Sequence, residues 1–261
     1  MGTRGLVGWL VGLAVFTASA AEAQWADPRL VAGQVAFGVG ASFFGKVLLK
    51  HRPAGAALKE ALAEGAASGL IAHVGYCIAG KNPPLALVGK ALAQKSSLMT
   101  RRSVSDREVF DRSLVSEWAL THSFLYFRFD GKPHLEVDVI NAAGAAYFLT
   151  RKGYDLDPGR SLTTGTLVFN NPNAALDTRG LAAPGVIWIA GRHYDDRSVL
   201  GHEIIHSLQS ERGAGIYDWH YKGMRFNFLA FAEGVPALLS GWPEHDHRWH
   251  EREADLYAGR K

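Results

Sequence analysis

The first hundred residues contain long uncharged apolar runs with short polar interruptions. Residues 30–45 include no charged side chain but four glycines, and each glycine costs about 1 kcal/mol relative to alanine in an isolated helix. Small residues of this kind suit close contact between helices, as they do in membrane proteins. Further helical candidates follow at residues 56–66, 69–80 and 85–98. The pattern therefore predicts a Gly/Ala-rich apolar helical region over residues 24–100.

This helical region can be arranged in two ways. It is either a soluble unit packed on a catalytic domain or a hairpin that inserts into, or lies on, a membrane. A spanning helix needs about 18 or more consecutive apolar residues, and the uncharged runs are shorter than that. We therefore favour the soluble or peripheral arrangement and keep membrane association as the alternative.

From residue 100 onward charged residues become frequent, and a mixed-charge connector at residues 101–112 is followed by the two-residue period of strands. Aromatic and β-branched residues over 123–190 are typical of antiparallel β-structure. A turn is predicted at residues 130–133, and the strand candidates are residues 123–129, 134–140, 145–150, 161–169 and 186–190. Together with the helices, this predicts an α+β fold in which residues 101–261 form a catalytic domain with an antiparallel sheet.

Residues 1–23 have the organisation of a secretory signal. Arg4 provides a positively charged start, residues 5–16 are apolar, and residues 21–23 form an A-x-A cleavage site, with a second candidate at 18–20. The apolar stretch is shorter than the ~20 residues of a spanning helix. We therefore predict a signal peptide over residues 1–23 and export to the periplasm or cell envelope.

Composition and charge narrow the functional classes. Of the 261 residues, 48% are hydrophobic and 20% are charged, which is ordinary for a globular protein. The net charge of +3 is dispersed, and no basic stripe is interleaved with aromatic residues, so nucleic-acid binding is not expected. The single cysteine, Cys77, lies in an apolar run, which excludes an intrachain disulfide and a cysteine zinc site. We expect a buried, inert thiol.

The candidate chemistry is concentrated in residues 202–206, which have the sequence H-E-x-x-H. His202 and His206 are four residues apart, so they share one face of a helix and their imidazoles can bind one metal ion. Glu203 projects about 100° round the helix from His202, beside the metal rather than onto it. A general base for an activated water is required at that place.

The sequence also predicts where the helix that carries this motif begins and ends. Asp195 or Asp196 can cap its start, and Gly213 can end it. An apolar strand at residues 186–190 and a polar loop at 191–196 precede it. The edge of such a strand can hold an extended peptide while the helix presents the metal.

Two histidines do not complete a catalytic zinc site, which needs three protein ligands and an open position. The longer metzincin pattern fails, because Gln209 and Arg212 stand where Gly and His belong. We favour Glu251 as third ligand, since Asp255, one helical turn later, can accept a hydrogen bond from a ligand imidazole. Glu233 is the main rival. Further candidates are Glu253, His245, His247 and His250.

His202-Glu203-x-x-His206 followed by Glu251-x-x-x-Asp255 resembles the gluzincin group of zincin metallopeptidases, the thermolysin-like clan. The resemblance covers residues 196–258 and implies a zincin-like catalytic domain. It also implies a Zn²⁺ ion held by His202, His206 and Glu251, with Glu203 as general base. The thermolysin-type signature has Asn before the ligand Glu, where this chain has His250. The chain is also similar to uncharacterised bacterial zincin-like proteins, exported or membrane-linked, at residues 206–210, 234–240 and 247–251.

We therefore expect a zinc-dependent peptidase whose partner is a peptide or protein substrate. Zinc lowers the pKa of its water to roughly 7, and Glu203 would move the proton from that water to the leaving amine. An oxyanion partner is also needed, and its candidates are Tyr217, His220, Tyr221 and His247. One alternative is a zincin-like envelope protein that binds a metal or a partner without turnover. Another is an exported interaction protein without a metal.

Overall fold

The computed structural model describes residues 27–105, 109, 117–174, 179–183, 185–217, 219–226 and 249–260. The predicted signal peptide at residues 1–23 lies outside these ranges. Within them the chain forms seven helices and two small sheets, so the α+β class predicted from the sequence is confirmed. The helices are α1 Pro28–Phe44, α2 Ala54–Lys81, α3 Ala86–Val104, α4 Val139–Thr150, α5 Pro158–Thr164, α6 Arg197–Tyr217 and α7 Trp249–Ala258.

The first three helices pack against one another through small residues, as the glycine pattern predicted. A Cβ at Gly38 would lie 2.2 Å from the carbonyl oxygen of Gly65, and one at Gly69 would lie 2.5 Å from that of Gln34. Both distances are far shorter than van der Waals contact, so only glycine permits this approach of α1 to α2. Asp27 caps α1 by accepting a hydrogen bond from the backbone N–H of Arg29 at 2.9 Å.

The predicted helices at residues 56–66 and 69–80 are one continuous helix, α2, because no proline stands between them and the Ser68 hydroxyl donates to the backbone carbonyl of Ser96 on α3 at 3.0 Å instead of capping a helix start. The third candidate, at 85–98, forms the first part of α3, which continues through the charged residues Arg101 and Arg102 to Val104. The start of the mixed-charge connector is therefore helical.

Two helices are long and apolar enough to cross a membrane by length and composition, namely residues 28–49, with mean hydropathy 1.4, and α2, with mean hydropathy 1.2. These two helical segments are therefore longer than the charge-free stretches of the sequence, from which we expected segments too short to span a membrane. Lys46 lies on the inner side of this pair, where its ammonium group is 2.7 Å from Glu60. The outer side presents Phe44 and Leu48, which are more than half exposed. An apolar helix near the start of the described chain is compatible with export or with membrane association.

The nine strands form two sheets. The first contains β1 Trp118–His122, β2 Leu125–Phe129, β3 Pro133–Asp138, β8 Trp219–Tyr221 and β9 Met224–Phe226, in the order β1-β2-β3-β9-β8. The second contains β4 Asp155–Asp157, β5 Leu167–Asn171, β6 Gly180–Ala183 and β7 Val186–Ala190, in the order β4-β5-β7-β6. The predicted turn at residues 130–133 joins β2 to β3, and the predicted strand at 186–190 is β7.

The prediction of a purely antiparallel sheet is wrong, because each sheet contains one parallel pair. β3 pairs in parallel with β9, and β5 pairs in parallel with β7. In the second sheet the physical reason is the position of β6. It lies between β5 and β7 in sequence but on the outer side of β7, which it pairs antiparallel, so β7 returns in the direction of β5.

Two predicted strands are helical in the structure. Residues 145–150 belong to α4, whose start is capped by the carboxylate of Asp138, 3.0 Å from the backbone N–H of Asn141. This alanine-rich run lacks the alternation of a half-buried strand, and alanine is the best helix former. Residues 161–164 belong to α5, which ends at Gly165 in the left-handed conformation, with φ of 67°. The strand β5 begins only at Leu167.

The main hydrophobic core is shared by the N-terminal helices and the later elements. Tyr76 and Cys77 of α2 pack in one cluster with Ile187 of β7, Ile205 of α6 and Tyr257 of α7. The expected burial of Cys77 is confirmed, and burial raises the pKa of its thiol to about 12. The helical region and the elements that carry the H-E-x-x-H sequence therefore stabilise each other directly.

Candidate metal centre

The helix α6 positions the H-E-x-x-H sequence. Asp196 caps its start, since its Oδ1 accepts hydrogen bonds from the backbone N–H of Ser198 at 2.9 Å and from the Ser198 hydroxyl at 2.7 Å. Those hydrogen bonds are the main cause that lowers the pKa of Asp196. The predicted cap is therefore confirmed. The predicted end near Gly213 is wrong, because α6 continues to Tyr217.

One glycine sets how closely α6 lies against α2. A Cβ at Gly201 would be only 2.1 Å from the carbonyl oxygen of Gly80. The apolar residues next to the motif are buried on the same side, including Leu200 and Ile204. The histidine that follows Gly201 is thus held by backbone-to-backbone packing.

Three side chains converge at the centre of α6. Nε2 of His202 lies 3.0 Å from Nε2 of His206, and each of these atoms lies 3.1 Å from Oε2 of Glu251. Glu251 comes from the first turn of α7, so the structure places it where the sequence proposed a third ligand. All three side chains are largely buried. The rival Glu233 lies outside the described residues.

The spacing of these atoms suits a small tetrahedral cation. Zinc with bonds of about 2.0–2.1 Å separates its ligand atoms by roughly 3.3 Å. The observed separations of 3.0 and 3.1 Å are only a few tenths of an ångström shorter. His202, His206 and Glu251 also form the one His/Cys/Asp/Glu group of this kind within the described part of the chain.

The outer nitrogens of both imidazoles face hydrogen-bond acceptors. Nδ1–H of His206 donates to Oε1 of Gln209 at 2.8 Å. Nδ1 of His202 lies 2.9 Å from Oδ1 of Asp255, although the two groups are not aligned for a linear hydrogen bond. A neutral imidazole that carries its proton on Nδ1 has a lone pair on Nε2. Two lone pairs and one carboxylate oxygen then face each other with no hydrogen between them, which is the arrangement that a metal ion requires.

Protonation is the competing way to stabilise this cluster. Burial lowers the pKa of His206, but the hydrogen bond that it donates to Glu251 and the charges of Glu203 and Glu251 outweigh that effect, so the pKa is raised. Without a cation, the cluster therefore favours an imidazolium that donates to Glu251. A metal ion must displace this proton.

Glu203 lies against the second sheet and is not one of the three converging side chains. Its carboxyl group is buried, and burial raises its pKa, with the two neighbouring histidines opposing the shift. Gly180 of β6 lies directly against it, because a Cβ at that position would be 2.8 Å from Oε1 of Glu203. Sequence reasoning missed Gly180, and a glycine at the start of a strand was the available signal.

The strand next to Glu203 differs from the one that the sequence indicated. Residues 186–190 form β7, which is hydrogen-bonded on both sides, to β5 and to β6, and therefore has no free edge. The outer strand is β6. Among the described strands it pairs with β7 alone, and Glu203 packs against its face at Gly180.

The remaining candidates are placed as follows. Glu253 accepts hydrogen bonds from Gln209 and Gln34. It does not belong to the group of three converging side chains. Tyr221 is exposed on β8. The side chains of Tyr217, His220 and His250 and all of His245 and His247 lie outside the described part of the chain.

Comparisons of the chain with protein-family models, curated proteins and solved structures found no match.

Proposed function

We propose that this chain is a zinc-dependent peptidase with a gluzincin-like site. The observation that carries the proposal is the meeting of Nε2 of His202, Nε2 of His206 and Oε2 of Glu251 at 3.0–3.1 Å, beside the buried carboxyl group of Glu203. The wider arrangement, an H-E-x-x-H helix, a later helix that supplies an acidic ligand and a nearby strand edge, supports a zincin-like domain. Export to the cell envelope remains part of the proposal.

His202, His206 and Glu251 would hold the ion. When bound, zinc supplies Lewis-acid chemistry, which polarises a carbonyl group and acidifies water. The imidazoles are oriented by Gln209 and Asp255, whose oxygens face the two Nδ1 atoms. Once neutral, the two imidazoles would each offer an Nε2 lone pair to the ion.

Glu203 would act as the general base. It follows the first ligand on α6 and is close to the converging atoms without being one of them. Its raised pKa, caused mainly by burial, suits a group that takes a proton from water and gives it to the departing amine. The two neighbouring histidines limit that rise, and a bound cation would limit it further.

The free edge of β6 would orient the substrate. An extended peptide can add to a sheet edge through main-chain hydrogen bonds, which makes binding tolerant of sequence. Because Gly180 at the start of β6 has no side chain, the strand itself lies close to Glu203, and a peptide added to its edge would be held near that carboxyl group. This supports a peptide or protein as the substrate class.

The test is the Glu203→Gln variant, assayed for zinc content and for hydrolysis of a generic unfolded protein. We expect zinc to be retained and hydrolysis to fall by about 10²-fold or more, as is usual when a general base is lost. Glu211→Gln is the matched control, because Glu211 is also buried on α6 but bonds Lys90 and Gln94. It should lower stability and keep turnover.

The alternatives give different results in the same assay. Undiminished hydrolysis by Glu203→Gln would refute the mechanism. A wild-type protein that binds zinc but hydrolyses nothing would instead be a zincin-like envelope protein with a binding or assembly role. A wild-type protein without zinc affinity would exclude both.

A further inference from the structure

A chain of partly buried hydrogen bonds leads from the candidate metal centre to the N-terminal apolar helix. It begins at Nδ1–H of His206, which donates to Oε1 of Gln209 at 2.8 Å. Nε2 of Gln209 donates to Oε2 of Glu253 at 2.8 Å, and Nε2 of Gln34 donates to the other oxygen, Oε1, at 2.8 Å. The chain thus connects α6, α7 and α1, and its ends are separated by more than 170 residues of sequence.

The donors and acceptors in this chain follow one direction. Each oxygen of Glu253 accepts from an amide nitrogen, so Gln209 must turn its NH₂ group towards Glu253. Its carbonyl oxygen then faces His206 and can only accept. When the His206 imidazole is neutral, its one proton is consequently on Nδ1 and its lone pair is on Nε2, the atom that faces His202 and Glu251.

Gln34 is a costly residue to place where it is. It is 1% exposed, and it lies in the charge-free stretch of residues 30–45, in which apolar side chains would pack at no such cost. Burying an amide is unfavourable unless its hydrogen bonds are made. The backbone at this position is itself held tightly, because Gly69 of α2 touches the Gln34 carbonyl as closely as a glycine allows. Gln34 also interacts with the phenol of Tyr257.

We propose that Gln209, Glu253 and Gln34 are positioning residues that hold His206 in its metal-binding tautomer and orientation. The apolar helix α1 is then part of the metal centre as well as of the helical packing. This inference rests on the proposed metal site. It gives the N-terminal helical region a role in metal binding, which the H-E-x-x-H motif alone does not indicate.

The experiment measures zinc affinity by competition with a chelator, and the absorption spectrum of the Co²⁺-loaded protein, in the full chain. Gln209→Met keeps the side-chain length and removes the acceptor for His206. It should weaken zinc binding by about 10–100-fold, as is usual for residues that support a metal ligand, and it should change the Co²⁺ spectrum. Gln34→Met should act in the same direction with a smaller factor.

A double-mutant cycle separates this role from general stabilisation. If Gln34 acts through Gln209, the double variant should bind zinc as weakly as Gln209→Met alone. If the double variant weakened zinc binding by the product of the two single factors, the proposal would be overturned. Wild-type zinc affinity in both single variants would overturn it as well. The matched control is Gln94→Met, which removes a buried glutamine that bonds Glu211 on the same helix α6 but no ligand. It should leave zinc affinity and the Co²⁺ spectrum unchanged.

If Gln34→Met does not fold, a second pair of variants, which swaps the amide of Gln34 with the carboxylate of Glu253, tests the same contact. Gln34→Glu alone places two carboxylates within hydrogen-bond distance and should weaken zinc binding. Combined with Glu253→Gln it recreates both hydrogen bonds at residue 253, because the new amide donates to residue 34 and accepts from Gln209. Zinc affinity should return to within about twofold of wild type; no recovery would overturn the proposal. If wild type itself bound no zinc, the proposed function would fail instead.

Discussion

A single methyl group at position 180 should impair hydrolysis without touching a metal ligand. In Gly180→Ala the new Cβ would lie 2.8 Å from Oε1, 3.0 Å from Cγ and 3.1 Å from Cδ of Glu203. The strand cannot easily retreat, because Gly180 is paired with Ile189 and the preceding carbonyl, that of Arg179, accepts from the backbone N–H of Ala190 at 2.9 Å. The side chain of Glu203 must therefore move.

The size of that movement can be worked out from the contact distances. Ordinary van der Waals contact begins at 3.4 Å, so the carboxyl group must shift by about 0.6 Å. A displacement of about 1 Å in a catalytic group can cost roughly 10²-fold in rate, so we expect kcat/KM to fall by about tenfold. Zinc affinity should not change, since His202, His206 and Glu251 keep their positions.

The assay follows cleavage of a peptide with one scissile bond, together with zinc stoichiometry, for wild type and Gly180→Ala. Gly40→Ala is the control, because a Cβ at Gly40 meets nothing within 4 Å. It should behave as wild type. If Gly180→Ala bound zinc and hydrolysed the peptide at the wild-type rate, Glu203 would not be the base, or the contact with β6 would not position it.

Three further predictions concern packing, charge and pH. Gly201→Ala puts a Cβ 2.1 Å from a backbone oxygen of α2, and it should lower the free energy of unfolding by about 1–3 kcal/mol or more, measured by denaturant titration. Lys90→Met leaves the buried carboxylate of Glu211 without the ammonium group 2.7 Å away, and it should cost about 3–5 kcal/mol in the same measurement. The pKa of His206 is raised above its ordinary value of 6.5, so protons begin to compete with zinc for this imidazole at a pH above 6.5. Zinc affinity should therefore fall as pH decreases through this range, with proton release on binding detectable by calorimetry in buffers of different ionisation enthalpy.

The part of the site that could be predicted from sequence is the part set by local helical geometry. The four-residue spacing of His202 and His206, and of Glu251 and Asp255, puts each pair on one helical face wherever the helices lie. The requirement for a third ligand then pointed to an acidic residue downstream. The structure brings Glu251 and Asp255 to the histidines, one to the inner nitrogens and one to an outer nitrogen.

The residues that sequence reasoning missed depend on how distant elements meet. Gln209 was considered only as a departure from the metzincin pattern, although it lies three residues after His206 and so beside it on the helix. Gln34 gives a weaker signal, as the one amide side chain in the uncharged stretch of residues 30–45. Gly180 and Gly201 matter because other backbones approach them closely, which no local pattern records.

The errors in the fold have a similar origin. Alternation of apolar and polar residues identifies a strand, but its pairing direction depends on the order in which strands are added to a sheet. β6 lies outside β7, which makes β5 and β7 parallel neighbours and leaves β6 as the edge strand. The sequence predicts a strand at residues 145–150, whereas the alanine content of this segment and the Asp138 cap favour a helix.

The central claim is that His202, His206 and Glu251 hold one metal ion, and zinc stoichiometry tests it most directly. Purified wild type and Glu251→Ala would be equilibrated with zinc, freed of unbound ion, and measured by elemental analysis beside a thermal unfolding curve. We expect one zinc per wild-type chain and no stoichiometric zinc in a folded Glu251→Ala protein. A wild type that retains no zinc, or a Glu251→Ala protein that retains one per chain with unchanged affinity, would contradict it.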